Sequence, residues 1–303
     1  MNFEFLVLGT GSATPVINRH PSAFLLTVEN ESFLIDCGEG TQYRLLENKV
    51  KHTRIRYIFI SHLHGDHYFG LIGLLSSWNM NQRKEDLTIF APRGLAEILT
   101  IQFKYSDTRI GYKIHFVETD TENINAILDT NLVIVETIPL HHRIACCGFL
   151  FRTKAAKRKI LAEKLPENFP IPYLKMLKDG LDIEDEFSGE TYLNKDFTGD
   201  GLASKSFAYC SDTAYNELKI KQLEGIDGIY HEATFTDSEL KRAEQTNHST
   251  ARQAAQIAQQ INTHQLIIGH YSSRYKTLDN HLLEAKAIFE NTVLAEEGKI
   301  YYI

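Results

Sequence analysis

Directly behind the short apolar run Arg56 to Ile60 the chain reads Ser61-His62-Leu63-His64-Gly65-Asp66-His67, with three imidazoles and one carboxylate within six positions. No other stretch limits the possible folds so tightly. In extended backbone, residues two apart point the same way, so His62 and His64 face one ion if the strand carries on through them. Gly65 then permits the turn that swings Asp66 and His67 toward a second position. Neutral imidazole and carboxylate are good ligands for zinc or a similar divalent cation. Four ligands in one loop cannot saturate two ions, so the fold has to deliver the rest from elsewhere. His142 follows a strand at 132–137, Asp212 follows one at 207–210, and His270 follows one at 266–269. Each sits where a strand ends, which is where α/β folds assemble their sites.

The patterning around these positions supplies the strands. Phe3 to Leu8 is apolar and ends in Gly9-Thr10-Gly11-Ser12, a buried strand followed by a glycine turn. Ala23 to Val28 and Ser32 to Asp36, separated by Glu29-Asn30-Glu31, read as a hairpin. Further strands are expected at 56–60, 87–90, 113–117, 132–137 and 147–152, which close the first half. Strands at 206–210, 228–231 and 265–269 form the second half. Helices are expected near Tyr43 to Leu46, Phe69 to Trp78, Gly94 to Phe103, Ala214 to Gln222 and Thr250 to Gln260. Strands alternating with helices argue for sheets covered by helices.

Residues 154–204 break this rhythm and read as an inserted arm. The stretch holds three of the seven prolines and four glycines, begins basic, and turns acidic from Asp179 to Glu190. From Arg152 to Lys178 there are eight basic and two acidic residues, against a net charge of −7 for the whole chain. The overall balance argues against a phosphate-backbone partner, and the arm is the local exception.

A chain of 303 residues with 43% hydrophobic and 23% charged residues is an ordinary globular protein of one large or two small domains, which excludes collagen, coiled coil and disorder. Its apolar runs fall far short of the roughly 20 residues a membrane helix requires. An acid near the start, where a secretory leader carries Lys or Arg, predicts a cytoplasmic protein. Cys37, Cys146, Cys147 and Cys210 form no CxxC pair, and the expectation is reduced thiols.

The order H-x-H-x-D-H, a later His, a later Asp and a final His resembles the metallo-β-lactamase superfamily. Gly9-Thr10-Gly11-Ser12, Asp36-Cys37-Gly38-Glu39, Leu140-His141-His142-Arg143, Ser211-Asp212-Thr213, His231-Glu232-Ala233-Thr234-Phe235, His248-Ser249-Thr250 and Gly269-His270 narrow the resemblance to ribonuclease Z, the short-form transfer-RNA 3′-processing endoribonuclease. It spans almost the whole chain. It implies a four-layer αββα sandwich forming a single domain over 1–303, with a flexible arm at 154–204 as the transfer-RNA exosite. It also implies a homodimer acting on precursor transfer RNA, with no protein partner or membrane inferred, and a centre of two zinc ions per subunit, manganese and iron also suiting such ligands. One ion would take His62, His64 and His142, the other Asp66, His67 and His270, with Asp212 bridging. Of the adjacent His141 and His142, the second fits the family spacing to Gly148.

Hydrolysis of a phosphodiester needs its negative charge neutralised, and two divalent ions about 3.5 to 4 Å apart can do this while activating hydroxide as nucleophile. Asp66 can accept the water's proton. His248, oriented by Glu232, is the candidate donor to the leaving ribose 3′-oxygen. His231 is expected to be structural, and Ser249 and Thr250 to cap a helix. His20, His52, His115, His264 and His281 show no ligand spacing. Lys154 to Lys164 are expected on RNA phosphates, since a metal site recognises only the scissile phosphate and other contacts must bind the folded RNA. The arm reads Pro170-Ile171-Pro172-Tyr173 where the family carries a Gly-Pro pair, and Pro15 to His20 departs from the usual first loop. Two other readings stay open: a small-molecule phosphodiesterase of the same fold, and an RNA-binding protein without catalysis.

Overall fold

The computed structural model describes residues 3–185, 188–216 and 221–303. The chain divides into two compact units, residues 153–205 and the remainder. The larger unit is built on two seven-stranded sheets.

The first sheet is formed by β1 (Phe3–Gly9), β2 (Ala23–Val28), β3 (Glu31–Cys37), β4 (Ile55–Phe59), β5 (Leu87–Ala91) and β6 (Ile114–Glu118), with the last strand of the chain, Ile300–Tyr302, antiparallel to β1. β1, β2 and β3 pair antiparallel, and β3 to β6 run parallel. The second sheet begins with β7 (Ala126–Asp129), β8 (Val133–Pro139) and β9 (Cys147–Thr153).

The smaller unit follows with β10 (Lys159–Ile160), β11 (Ile183–Glu184), β12 (Thr191–Tyr192) and β13 (Thr198–Gly199), paired β10 with β13 and β11 with β12. Its α5 (Ile171–Lys178) starts at Pro170, and α6 (Asn194–Phe197) follows. Phe169, Tyr173, Tyr192 and Phe197 pack edge to face and stacked, giving the unit an aromatic core of its own. Lys157 is paired with Asp179 at 2.7 Å and Arg158 with Asp200 at 3.0 Å.

Back in the larger unit, β14 (Ser206–Cys210) pairs antiparallel with β9, and β15 (Gly228–Glu232), β16 (Gln265–Gly269) and β17 (Thr292–Leu294) continue the sheet in parallel.

Side-chain alternation explains the layers. Along β1 to β4 the aromatic residues Phe5, Phe24, Phe33 and Phe59 point one way, while Leu6, Leu25, Leu34 and Ile58 point the other. The aromatic faces meet Phe149, Phe151, Phe207, Tyr209 and Tyr230 of the second sheet, with centroids 4.6 Å apart for Phe5 and Phe207 and 5.1 Å for Phe59 and Phe149. The aliphatic faces are covered by helices. On the first sheet these are α1 (Thr41–Glu47), α3 (Leu71–Met80) and α4 (Leu95–Tyr105), through Leu45, Leu74, Trp78 and Leu99. On the second sheet α8 (Ala251–Gln260) lays Ala251, Ala254, Ala255 and Ala258 on Ile229, Leu266 and Ile268, beside α9 (Asp279–Lys286). Each fully buried Phe or Leu contributes roughly 1.5 to 3 kcal/mol. The order is helix, sheet, sheet, helix, the expected αββα arrangement.

The expected strands at 132–137 and 147–152 lie in the second sheet. β7 escaped notice because four half-exposed residues carry too little pattern. In place of a helix across 214–222, residues 214–216 are irregular and Lys221–Leu223 form a short 3-10 turn, while 217–220 lie outside the described residues. All four cysteines are buried and free. No helix among the described residues is long and apolar enough to cross a membrane.

Candidate metal centre

The site lies within the larger unit at the ends of strands from both sheets. After β4, Ser61 to His64 stay extended, with His64 at φ −75° and ψ 144°, and Gly65 opens the short helix α2 (Gly65–Tyr68). The turn is therefore made by a helix start, and Gly65 takes no left-handed conformation. The size of Gly38 matters here, as does that of Gly70, where a Cβ would lie 2.0 Å from the Gly38 carbonyl oxygen. A Cβ on Gly38 would lie 2.4 Å from the Asp66 carbonyl oxygen, so only glycine lets the end of β3 close on the loop.

Two groups of donors converge. His62, His64, His142 and Asp212 form one, and Asp66, His67 and His270 the other, the ligand atoms of each group lying within 4.8 Å of one another; a third combination at the same spacing, Asp212, His248 and His270, overlaps both. His64 Nδ1 is 3.1 Å from His62 Nε2 and 3.2 Å from His142 Nε2. In the second group, Asp66 Oδ2 is 3.5 Å from His67 Nε2 and 3.4 Å from His270 Nε2. Asp212 faces both: Oδ2 lies 3.6 Å from His62 Nε2 and 3.8 Å from His142 Nε2, and Oδ1 lies 3.5 Å from His67 Nε2 and 3.2 Å from His270 Nε2. His141 joins neither group and is exposed.

The donor chemistry fits divalent cations. His67 Nε2 and Asp212 Oδ1 are buried without a hydrogen-bond partner, an arrangement that costs free energy unless a cation sits between such atoms. Burial, together with the neighbouring His67, holds His62 well below the ordinary imidazole value, and burial lowers His64 and His142 as well, leaving these rings neutral as ligation requires. Burial opposes charge on His67 too, yet Asp212, Asp66 and Asp36 raise it well above the usual range. A pocket that draws a proton so strongly is one that favours positive charge.

The outward nitrogens show how the rings are held. His142 Nδ1 lies 2.9 Å from the Asn247 carbonyl, and His270 Nδ1 lies 2.8 Å from Thr234 Oγ1. Asp36 Oδ2, at the end of β3, lies 2.8 Å from His67 Nδ1, 2.6 Å from the Tyr209 hydroxyl and 2.9 Å from the Ser61 hydroxyl. Ser61 Oγ is in turn 3.0 Å from His62 Nδ1. Because a carboxylate only accepts, Ser61 donates to Asp36 and receives the His62 proton, so Nε2 of both His62 and His67 is left bare toward the site. The sequence reading attached no such role to Asp36, although an aspartate closing a buried apolar strand marked it out. Asp36 and His270 both take positive φ, 54° and 63°, a strain for non-glycine residues that gathers at functional sites.

Beside the donors stands a second pair. Glu232, buried at the end of β15, accepts from the backbone N–H of Thr213 and Thr234, and its Oε1 lies 2.8 Å from His248 Nδ1. Burial works against the charge on His248, but Glu232 and Asp212 raise its pKa to about 9. Thr250, not His248 or Ser249, caps α8 through a capping box with Gln253, while Ser249 donates to the Thr213 carbonyl. His231 is buried with Nδ1 2.7 Å from the Glu232 carbonyl oxygen. An open cleft of about 400 Å³ is lined by Asp66, Asp212, His248 and His270 together with Arg143, Arg242 and Arg274.

Two sheets that bring seven histidine and aspartate side chains to one cleft define a metal-dependent hydrolase of the metallo-β-lactamase fold. Known proteins agree. The structure of the metallo-β-lactamase-fold protein YhfI of Bacillus subtilis superposes with a TM-score of 0.70 at 18% identity, covering all of both chains. The human short-form tRNase Z gives 0.71 at 25% identity over 98% of both chains. Ribonuclease Z of Cytophaga hutchinsonii is 47% identical over 303 residues, all of this chain and 97% of its own, and that of Bacteroides fragilis 42% identical over 297 residues, 98% of this chain and 97% of its own. The chain belongs to the ribonuclease Z family. A family model described as Anti-Pycsar protein Apyc1 also matches residues 3–156, a range that holds β1 to β9, the histidine loop and His142 but neither Glu232 nor His248.

Proposed function

We propose that this chain removes the 3′ trailer of precursor transfer RNA by hydrolysing the phosphodiester after the discriminator nucleotide, leaving a 3′-hydroxyl. The observation that carries this reading is Asp212, which turns one oxygen to each donor group beside the Glu232 and His248 pair. His62, His64 and His142 would hold one zinc ion, Asp66, His67 and His270 a second, and Asp212 both. When bound, two such ions neutralise phosphate charge and make water acidic enough to attack at neutral pH.

The chain's own groups complete the reaction. Asp66 accepts the proton of the attacking water. Attack on phosphorus breaks the bond to the ribose 3′-oxygen, and His248 protonates that oxygen from Nε2, because its Nδ1 is engaged by Glu232. Arg143 and Arg242 line the cleft and can receive neighbouring phosphates, while Arg274 beside them is paired with Glu239 at 2.8 Å.

In this reading residues 154–204 bind the body of the transfer RNA from one subunit of a cytoplasmic homodimer. Lys157 and Arg158 are already paired with acids, so the exposed Lys159, Lys164, Lys175 and Lys178 take over the phosphate contacts. Steady-state rates on a precursor and on a small chromogenic phosphodiester test the assignment. Reversing charge at Lys175 and Lys178 together should raise KM for the precursor by roughly tenfold and spare the small ester. Equal loss on both substrates would remove the arm from RNA binding, and hydrolysis of the small ester alone by the unaltered protein would favour a small-molecule phosphodiesterase.

A further inference from the structure

The hydroxyl of Thr234 occupies a position that the reaction as described does not use. It is buried, 3% exposed, and three functional side chains meet on it. Glu232 Oε2 lies 2.6 Å from Thr234 Oγ1, His270 Nδ1 2.8 Å and His248 Nδ1 3.2 Å. Proton counting settles the directions. Glu232 is an acceptor only, so the Thr234 hydroxyl spends its one proton on Oε2. Its lone pairs are then free to receive, and His270 Nδ1 donates to one of them. A ring that carries its proton on Nδ1 has a bare Nε2, and that nitrogen lies 3.2 Å from Asp212 Oδ1 and 3.4 Å from Asp66 Oδ2, within the second donor group.

We infer that Thr234 is a positioning residue that lets one buried carboxylate, Glu232, govern both halves of the site: His248 directly and His270 through a hydroxyl relay. The arrangement repeats what Asp36 does at the opposite sheet, acting on His67 directly and on His62 through Ser61. Each sheet thus supplies a carboxylate at a strand end and a hydroxyl that passes its influence to a second histidine. The two relays differ in one respect. Asp36 touches only residues of the two donor groups and their supports, whereas Glu232 also touches the proposed proton donor, so Thr234 ties that donor's partner to the metal-holding group.

The inference rests on the reading of His270 as a metal ligand, and two conservative replacements separate it from simple packing. Thr234→Val keeps the shape and removes the hydroxyl, and Thr234→Ser keeps the hydroxyl and removes a methyl. Zinc titrations against a chelating indicator, with thermal unfolding of the metal-free proteins as a check on folding, should show the valine variant losing about 10- to 100-fold in affinity at the weaker site. The serine variant should stay within a few-fold of the unaltered protein. Equal affinity in the valine variant, or the same loss in both variants at equal metal-free stability, would overturn the relay. If the unaltered protein takes up only one zinc ion, the reading of His270 fails instead. Should the valine variant not fold, loss of zinc affinity in Thr234→Ala that Thr234→Ser does not share decides the same question, and its absence overturns the relay.

Discussion

The imidazole of His67 donates through Nδ1 to the buried carboxylate of Asp36, 2.8 Å away, and this one bond decides which face of the ring meets the site. Asp36→Asn removes the charge while keeping the shape, and asparagine tolerates the φ of 54° at this position. The amide can present a donor where the histidine needs an acceptor. Zinc affinity measured by chelator competition should fall by about 10- to 100-fold with the fold retained. Unchanged affinity would reduce Asp36 to a packing role.

Asp212 turns its two oxygens to different donor groups. Asp212→Ala should therefore lose zinc and cleavage together. Elemental analysis that finds two ions per chain in the variant would sink the bridging assignment.

His248 Nδ1 is engaged by Glu232 at 2.8 Å and lies 4.0 Å from Asp212 Oδ2, and its ring packs 5.1 Å from that of His142 and 5.5 Å from that of His270. Its removal should leave zinc in place. Cleavage by His248→Ala should slow by about 10²-fold or more, the usual effect of a general acid. Normal single-turnover rates in a zinc-replete variant would refute the proton-donor role.

His281, packed behind Tyr271 and outside the candidate donor groups, predicts a pH effect on stability. Its ring is 0% exposed, sits between Tyr271 and Tyr275, and makes no hydrogen bond through either nitrogen. Burial depresses its pKa to about 4, with Arg19 adding to the effect and the nearby backbone of Ala233 and Thr234 only partly opposing it. Because the folded value lies below the unfolded one of about 6.5, the unfolded chain binds the proton more readily between them, and stability falls as pH drops through that window. The loss should reach about 2 kcal/mol by pH 5. The denaturant midpoint should fall less between pH 7 and pH 5 in His281→Leu than in the unaltered chain. Identical shifts would assign the effect to other groups.

The side chains that converge as candidate metal donors were legible because their chemistry is local: H-x-H-x-D-H declares itself in one loop, and His142, Asp212 and His270 each follow a readable strand. Most strands were legible for a related reason. A sheet buried on both faces shows as unbroken apolar runs such as Phe24 to Leu26, and no alternation with polar residues has to be found. What stayed hidden depends on partners far apart in the chain. Ser61, Asp36 and Tyr209 join across both sheets, and nothing near any one of them announces the others. The same holds for Thr234, whose role appears only once His270 arrives beside it. The assignment of β8 and β9 to the second sheet was equally invisible, since a strand's patterning reports that it is buried and not which neighbour it pairs with.

The most direct test is to incubate the zinc-loaded protein with a precursor transfer RNA carrying a 3′ trailer and to map the products at nucleotide resolution, with and without chelator. The account predicts a single cut after the discriminator, a 3′-hydroxyl on the transfer RNA, and no cut once the metal is removed. Intact precursor in the presence of zinc, or cleavage that persists in chelator, would contradict it.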